Sequence, residues 1–272
     1  PTRRSSDLKN HLIMGGQNQF LHPGTDGSQY AGIVLNPMQQ SEPSKVAIFA
    51  NADFAWNCWE SEQEGEQNWY DSFKYIENMS PEDNEESAAL REMSKHMINQ
   101  AMDSRVVALE ESVELAPKLE AFQVKMEKED LTSDEIEEMK AEFQKLNNAA
   151  NCYLEGGKER MVEQISPFVN NIRDVSRANM EFLDALKADL AGETGQVWEH
   201  FSEGQGSYEQ SQEYAFESRG EVLYAETGNQ YIIPFTEQLQ KYVSEKVNRY
   251  LNPENRKLKE SVVCAVNRSE ER

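Results

Sequence analysis

The stretch between Ser80 and Leu190 constrains the fold more than any other part of the chain, because its apolar residues recur at helical spacing. They lie three or four positions apart in three consecutive segments, as the a and d positions of a heptad do, except for one gap around Arg105 in the first segment. The first stripe contains Leu90, Met93, Met97, Ala101, Leu109, Val113, Ala116, Leu119 and Phe122; the second contains Ile136, Met139, Phe143, Leu146, Ala150 and Tyr153; the third contains Met161, Ile165, Phe168, Ile172, Val175, Asn179, Phe182 and Leu186. The pattern predicts a mainly α fold, namely an elongated antiparallel coiled coil or helical bundle.

Local signals predict where these helices begin and end. Ser80-Pro81 supplies a capping residue followed by proline at the first helical position, and acidic residues follow it. Pro117 should kink the first helix or divide it. Thr132 and Glu135 form a capping box for the second helix, which should end near Gly156-Gly157.

The N-terminal part looks extended rather than helical. Residues 1–45 are polar and interrupted by glycine and proline, so we expect an extended N-terminal arm that lies against its own bundle or a neighbouring subunit. The apolar runs at residues 31–35 and 46–50 could pair as a short β-hairpin. An aromatic cluster that includes Trp56, Trp59 and Trp69 follows, and it favours a small local core over a contact surface.

These features divide the chain into three predicted regions. Residues 1–79 form the arm, the hairpin and a Trp-rich helix; residues 80–191 form the three-helix bundle; residues 192–272 form a tyrosine-rich connector and C-terminal helices. Gly204-Gln205-Gly206 is expected to be a loop in the third region. A further helix follows Pro234 and ends at Asn252-Pro253.

Composition narrows the class of partner. A formal net charge of −22 disfavours direct contact with nucleic acid, because every phosphate would approach a repulsive surface. No apolar run has the length of a membrane span. The three cysteines are widely spaced, which is typical of neither a disulfide framework nor a zinc site and favours a reducing compartment or an assembled particle in the cytoplasm or a virion. We see no signal peptide.

The sequence shows no convergent set of catalytic, cofactor-binding or metal-binding residues. The chain has four histidines, and only His200 has an acidic residue, Glu203, at helical spacing. Such an H-x-x-E pair is common by chance in an acidic chain. We therefore expect no cofactor and no metal.

These observations predict a non-enzymatic structural protein, a helical building block of a larger particle such as a virion, an appendage or a scaffold. Its partners would be other protein subunits in a homo- or hetero-oligomer. The candidate protein-contact residues are Phe20, Leu21, Ile33, Val34, Trp56 and Trp59. The alternative is an acidic binding module that imitates nucleic acid and blocks a basic protein. An enzyme with a site in the Trp-rich part ranks third.

Overall fold

The computed structural model describes residues 10–15, 21–97, 111–218 and 220–251. Within these ranges the chain forms eight α-helices and one two-stranded antiparallel sheet, so the mainly α prediction is confirmed. The elements in chain order are α1 (Lys45–Trp56), α2 (Glu62–Asn78), α3 (Glu85–Ser94), α4 (Ala116–Glu127), α5 (Ser133–Gly156), α6 (Glu159–Ala191), α7 (Thr194–Ser211), β1 (Ala215–Ser218), β2 (Glu221–Tyr224) and α8 (Ile232–Leu251).

Helix α6 is the centre of the helical half, because α5, α7 and α8 all pack on it. Its 33 residues continue through Pro167 and end at Ala191, and the capping residue Gly192 adopts a left-handed conformation with φ 76°. The core contains the completely buried rings of Phe143, Phe182 and Phe235. Asn179 donates from Nδ2 to Thr236 Oγ1 at 2.7 Å, so this buried amide ties α6 to α8 within one chain.

The predicted capping signals of α5 are confirmed. Thr132 accepts from the Glu135 amide, and the Glu135 side chain accepts from the Thr132 amide. The helix ends at Gly156, with Gly157 as its cap. None of the described helices combines the length and hydropathy that crossing a bilayer requires.

Residues 10–15 of the predicted N-terminal arm lie against the chain's own fold, which is one of the two arrangements expected for it. Leu12 and Met14 are buried in the main core. The Met14 amide donates to the Met97 carbonyl at 2.7 Å, and Trp69 Nε1 donates to the Met14 carbonyl at 2.9 Å. Residues 10–15 therefore pack inside the chain's own fold, between α2 and the end of α3.

The predicted hairpin between residues 31–35 and 46–50 is wrong. Residues 46–50 lie in α1, where Val46 and Ala50 are buried. A short apolar run without alternation fits a buried helix as well as a strand, which explains the error. Among the described residues, the hairpin that does form pairs β1 with β2, and it lies in the predicted tyrosine-rich connector.

The start of the first predicted bundle helix is also wrong. Helix α3 begins at Glu85, because Asn84 and Ser87 form a reciprocal capping box that Ser80 does not. Pro117 does divide the segment, since it lies in the first turn of α4. Ala101 and Leu109 of the first stripe lie outside the described residues.

The expected loop at Gly204-Gln205-Gly206 is helical, because α7 runs through it. Gly204 lies against α6 so closely that a Cβ atom there would meet the Phe182 ring at 2.6 Å and the Ala178 carbonyl oxygen at 3.2 Å. This glycine permits close helix packing rather than a turn.

Candidate functional site

The most exposed apolar stretch among the described residues is the segment 31–37, which precedes α1. Val34 is 99% exposed, and Ile33 and Leu35 are each about two-fifths exposed. No backbone hydrogen bond joins residues 31–37 to another described segment. Unpaired backbone beside exposed branched side chains is typical of a strand whose neighbours lie in another segment or chain. We call residues 31–37 the open segment.

Asn36 and Pro37 end the open segment, and Asn36 is exposed. An exposed side-chain amide at this position can both donate and accept hydrogen bonds with a polar ligand. Proline fixes its own φ and restricts the preceding residue to extended conformations. The backbone that carries the side-chain amide of Asn36 therefore has little conformational freedom.

The loop that precedes the open segment is organised by Asp26. Its carboxylate accepts from the Ser28 amide at 3.0 Å, from Ser28 Oγ at 2.6 Å and from Gln29 Nε2 at 3.0 Å. The hydrogen bonds from the side chains of Ser28 and Gln29 lower the pKa of Asp26. Asp26 is thus a structural carboxylate that stays ionised at neutral pH and is a poor general acid.

The predicted contact residues are divided between surface and interior. Ile33, Val34 and Trp56 are exposed, with Trp56 at 91%. Leu21 is half-buried against the small core formed by Ala50, Phe54 and Trp59. Trp59 is only 2% exposed and donates from Nε1 to Asp53 Oδ2 at 2.9 Å, so it packs within the chain. Phe20 lies outside the described residues.

A second group of polar side chains is buried near the end of α3. His96 Nδ1 lies 2.7 Å from Ser112 Oγ, and burial lowers the pKa of His96 to about 4. Glu111 Oε1 accepts from the Gln230 amide at 3.1 Å, just before α8. Burial also raises the pKa of the Glu111 carboxyl to about 7. With exposures of 5% or less, these three side chains are closed to a substrate and link α3 to α8.

His200 does have acidic neighbours, but they differ from the sequence pair. Its Nδ1 lies 2.8 Å from Glu181 Oε2, and Asp184 is close enough to complete a three-residue group. Lys140 Nζ donates to Asp184 at 2.6 Å and neutralises that carboxylate. The contact between His200 and Glu181 and the ion pair between Lys140 and Asp184 account for this arrangement on the surface of α6.

A groove of about 550 Å³ separates α4 from α5. Phe122 and Met139 form its apolar floor. Lys118 pairs with Glu142 across it, and Lys125 pairs with Glu135. These contacts neutralise much of the charge at its rim, so the groove offers little electrostatic recognition.

The N-terminal and helical parts of the chain are joined by a buried carboxylate. Glu77 at the end of α2 accepts from Tyr153 Oη at 2.9 Å and from the Lys158 amide at 3.1 Å. Lys158 Nζ in turn donates to the Ile76 carbonyl. Because α5 and α6 meet at this point, the joint fixes α2 on the helical part.

Two family models match different parts of the chain. Residues 5–95 match the model described as beta-N-acetylglucosaminidase, and residues 114–215 match the model described as hyaluronidase post-catalytic domain-like. The open segment lies within the first match. Helices α5 and α6 lie within the second.

Solved structures of GH84 glycoside hydrolases resemble the chain over most of its length. The structure of CpGH84D is 28% identical with a TM-score of 0.78, and the match covers 88% of this chain and 39% of that one. The structure of CpGH84B is 19% identical with a TM-score of 0.62, over 78% of this chain and 34% of that one, and shows a shared fold. The chain thus spans well under half the length of either.

These matches overturn the function expected from the sequence. The prediction of a non-enzymatic virion, appendage or scaffold protein is wrong, and so is the alternative of an acidic module that imitates nucleic acid. Helical periodicity and net charge describe surfaces and packing, and they carry no information about a chemistry that is divided over several segments. The matches point to a glycosidase-related chain.

Proposed function

We propose that the chain joins a segment of the catalytic domain of a β-N-acetylglucosaminidase to the helical domain that follows it. The open segment, with its exposed apolar side chains and unpaired backbone, carries this proposal. It lies within the residues that match the glucosaminidase model, and it precedes a helix. A strand followed by a helix is the repeating unit of parallel sheets, in which every strand is paired.

In this proposal the open segment is one strand of the catalytic domain's sheet, and its neighbours lie in the remainder of the enzyme. Ligands of such sheets bind at the carboxyl ends of the strands. Asn36 is the polar residue at that end. It would donate or accept a hydrogen bond with a hydroxyl of the bound sugar.

Hydrolysis of a glycoside usually requires two carboxyl groups, one of which acts as a general acid with a raised pKa. Near the open segment, Asp26 has a lowered pKa, and Asp53 is engaged by Trp59 and Asn68. We therefore assign substrate binding and support to the described residues, and we place the general acid in another segment of the enzyme.

The helical part would serve as the support. The finer architecture predicted for residues 80–191, an antiparallel three-helix bundle with coiled-coil character, belongs to this proposal; the described helices in this range are α3, α4, α5 and α6. The first family model ends at residue 95 and the second begins at residue 114. We propose that the domain boundary lies between them rather than at residue 80. The reducing compartment stays a prediction.

Hydrolysis of 4-nitrophenyl N-acetyl-β-D-glucosaminide by the full-length protein that carries this chain tests the proposal. Asn36→Ala should lower kcat/KM about ten-fold or more, because it removes a hydrogen bond to the sugar. The matched control is Asn148→Ala, on the exposed side of α5, which should leave kcat/KM within about twofold of wild type. Absence of hydrolysis by the wild-type protein, or equal effects of the two substitutions, would overturn the proposal.

A further inference from the structure

The turn formed by residues 38–44 connects the open segment to α1, and its burial contrasts with the exposure of that segment. Glu42 is 6% exposed and Ser44 is 2% exposed, whereas Val34 is 99% exposed. Ser44 Oγ donates to the Gln40 carbonyl at 2.7 Å and closes the turn internally. The turn is therefore packed on something, and its contacts identify the partner as the helical part of the chain.

The first contact is made by Gln164 of α6, whose side chain forms two hydrogen bonds to the turn. Gln164 Oε1 accepts from the Glu42 amide at 2.8 Å. Its Nε2 donates to Ser41 Oγ at 3.2 Å. The amide of one glutamine thus fixes two neighbouring residues that are more than 120 positions away in the sequence.

The second contact comes from the β1–β2 hairpin. Ser218 Oγ donates to Gln39 Oε1 at 2.9 Å, and Ser218 is only 4% exposed. The hairpin is itself held on α6, because the rings of Phe216 and Phe168 lie 4.8 Å apart. Both contacts therefore depend on the same helix.

These contacts lie next to Asn36 in the sequence. Only Pro37 separates Asn36 from the turn, and neither residue of that dipeptide can absorb much rotation of the backbone. A displacement of Gln39 or Ser41 would consequently move the Asn36 amide as well. The anchors on α6 and β1 thus set the position of the strand end.

We propose that Gln164 and Ser218 are positioning residues of the sugar-binding site. Gln164 belongs to the helical part that resembles a post-catalytic domain, and Ser218 borders it. Both nevertheless hold the turn that follows Asn36 and Pro37. The inference rests on the proposed function, because it assigns a purpose to the end of the open segment. It gives the helical part a direct role in substrate affinity.

The test compares Gln164→Leu and Ser218→Ala with the exposed control Gln144→Leu in the full-length protein, using the same nitrophenyl glycoside. Each positioning variant should raise KM several-fold, and the double variant should lower kcat/KM about ten-fold or more. The control should match wild type. A substitution that only unfolds a fraction of the molecules would lower kcat and leave KM unchanged, and that result would overturn the inference.

Hydrogen exchange of the amides of residues 38–44 gives a readout that is independent of activity. Gln164→Leu should accelerate exchange in the turn about ten-fold, while amides in α5 keep their wild-type rates. Unchanged exchange in the turn would overturn the positioning role. If the wild-type protein hydrolyses no substrate but exchange accelerates as expected, the proposed function fails while the anchoring of the turn by Gln164 stands.

Discussion

At the scale of single residues, Glu111 is a buried carboxyl group whose pKa is raised well above its usual value. Its side chain is 1% exposed; Oε1 accepts from the Gln230 amide, and Oε2 has no partner among the described residues. An unpartnered carboxylate oxygen in the interior favours the protonated form. The backbone amides of Gln230 and Tyr231 both interact with this carboxyl group and hold it next to the start of α8.

We expect this carboxyl to make stability fall as the pH rises. In the folded protein the pKa is raised from 4.5 to about 7, so the folded state keeps its proton where the unfolded state has lost it. The stabilising contribution is complete below pH 4.5 and is lost as the pH rises through 7. Glu111→Gln removes the titration and should abolish this component.

Urea denaturation of both proteins between pH 4.5 and pH 8 measures the effect. Wild type should lose free energy of unfolding relative to Glu111→Gln over this range, by up to about 3 kcal/mol. His96 has the opposite effect, because its lowered pKa makes the protein less stable as the pH falls toward 4. Both proteins contain His96, so this effect cancels in the difference between their free energies of unfolding. A difference that is independent of pH would contradict the prediction.

At the scale of helices, the contact between α6 and α7 depends on one glycine. A Cβ at Gly204 would lie 2.6 Å from the Phe182 ring, whereas nothing lies within 4 Å of a Cβ at Gly206. Both glycines occur in the same helix, so alanine gains the same intrinsic helix propensity at either position. The difference between the two substitutions therefore isolates the packing of α7 on α6.

We expect Gly204→Ala to destabilise the protein by ~1–3 kcal/mol, because the core around Phe182 must move to admit a methyl group. Gly206→Ala should stabilise it by ~0.5–1 kcal/mol, since alanine costs less entropy in a helix. Thermal or urea denaturation of the two variants measures both values. Equal shifts in the same direction would show that α7 does not lie close to α6 at this position.

The helices also show which kinds of sequence signal predict structure. Thr132 and Glu135 were sufficient to place the start of α5, because a capping box is satisfied within four residues. For Gly204 the sequence predicts a loop, whereas the residue is glycine because it packs against the ring of Phe182, which lies 22 positions earlier in the sequence. Hydrogen bonds between residues that are close in the sequence can therefore be predicted from it, whereas close packing between distant segments cannot.

The candidate site was missed for the same reason. The apolar run that contains Ile33 and Val34 is visible in the sequence, but the strand that we propose there needs neighbours that the described residues do not supply. Asn36 looked like an ordinary residue before proline. The sequence does contain one signal, namely a polar residue that directly follows an apolar run and precedes a helix. This signal indicates a ligand-binding residue only if the apolar run is a strand of a parallel sheet.

At the scale of the whole molecule, the two parts are joined more firmly than their separate family matches suggest. Glu77, Tyr153 and Lys158 connect α2 to the junction of α5 and α6, and Gln164 connects α6 to the turn before α1. These contacts are buried or half-buried, as contacts within the core of one domain are, and they restrict hinge motion between the two parts. The described chain should consequently move as one unit, with the open segment presented on a rigid support.

That rigid presentation leads to a prediction about the 272-residue chain in solution. An exposed apolar segment with unpaired backbone is a template for strand pairing, so the chain should self-associate as its concentration rises. Val34→Lys places a charge in the middle of the open segment and should shift the chain toward the mass of a monomer, 31.2 kDa. Val222→Lys is the matched control, because Val222 is 65% exposed but lies in a strand that is already paired.

Sedimentation equilibrium at several concentrations distinguishes the outcomes. The wild-type chain and Val222→Lys should show an apparent mass that increases with concentration, whereas Val34→Lys should not. The reason is that a lysine at the open segment must be desolvated when a second strand pairs there, while a lysine on the hairpin stays in water. A wild-type chain that remains monomeric throughout, or equal behaviour of the two lysine variants, would show that the open segment is not a pairing edge and would remove the main support for treating it as a strand of the catalytic domain.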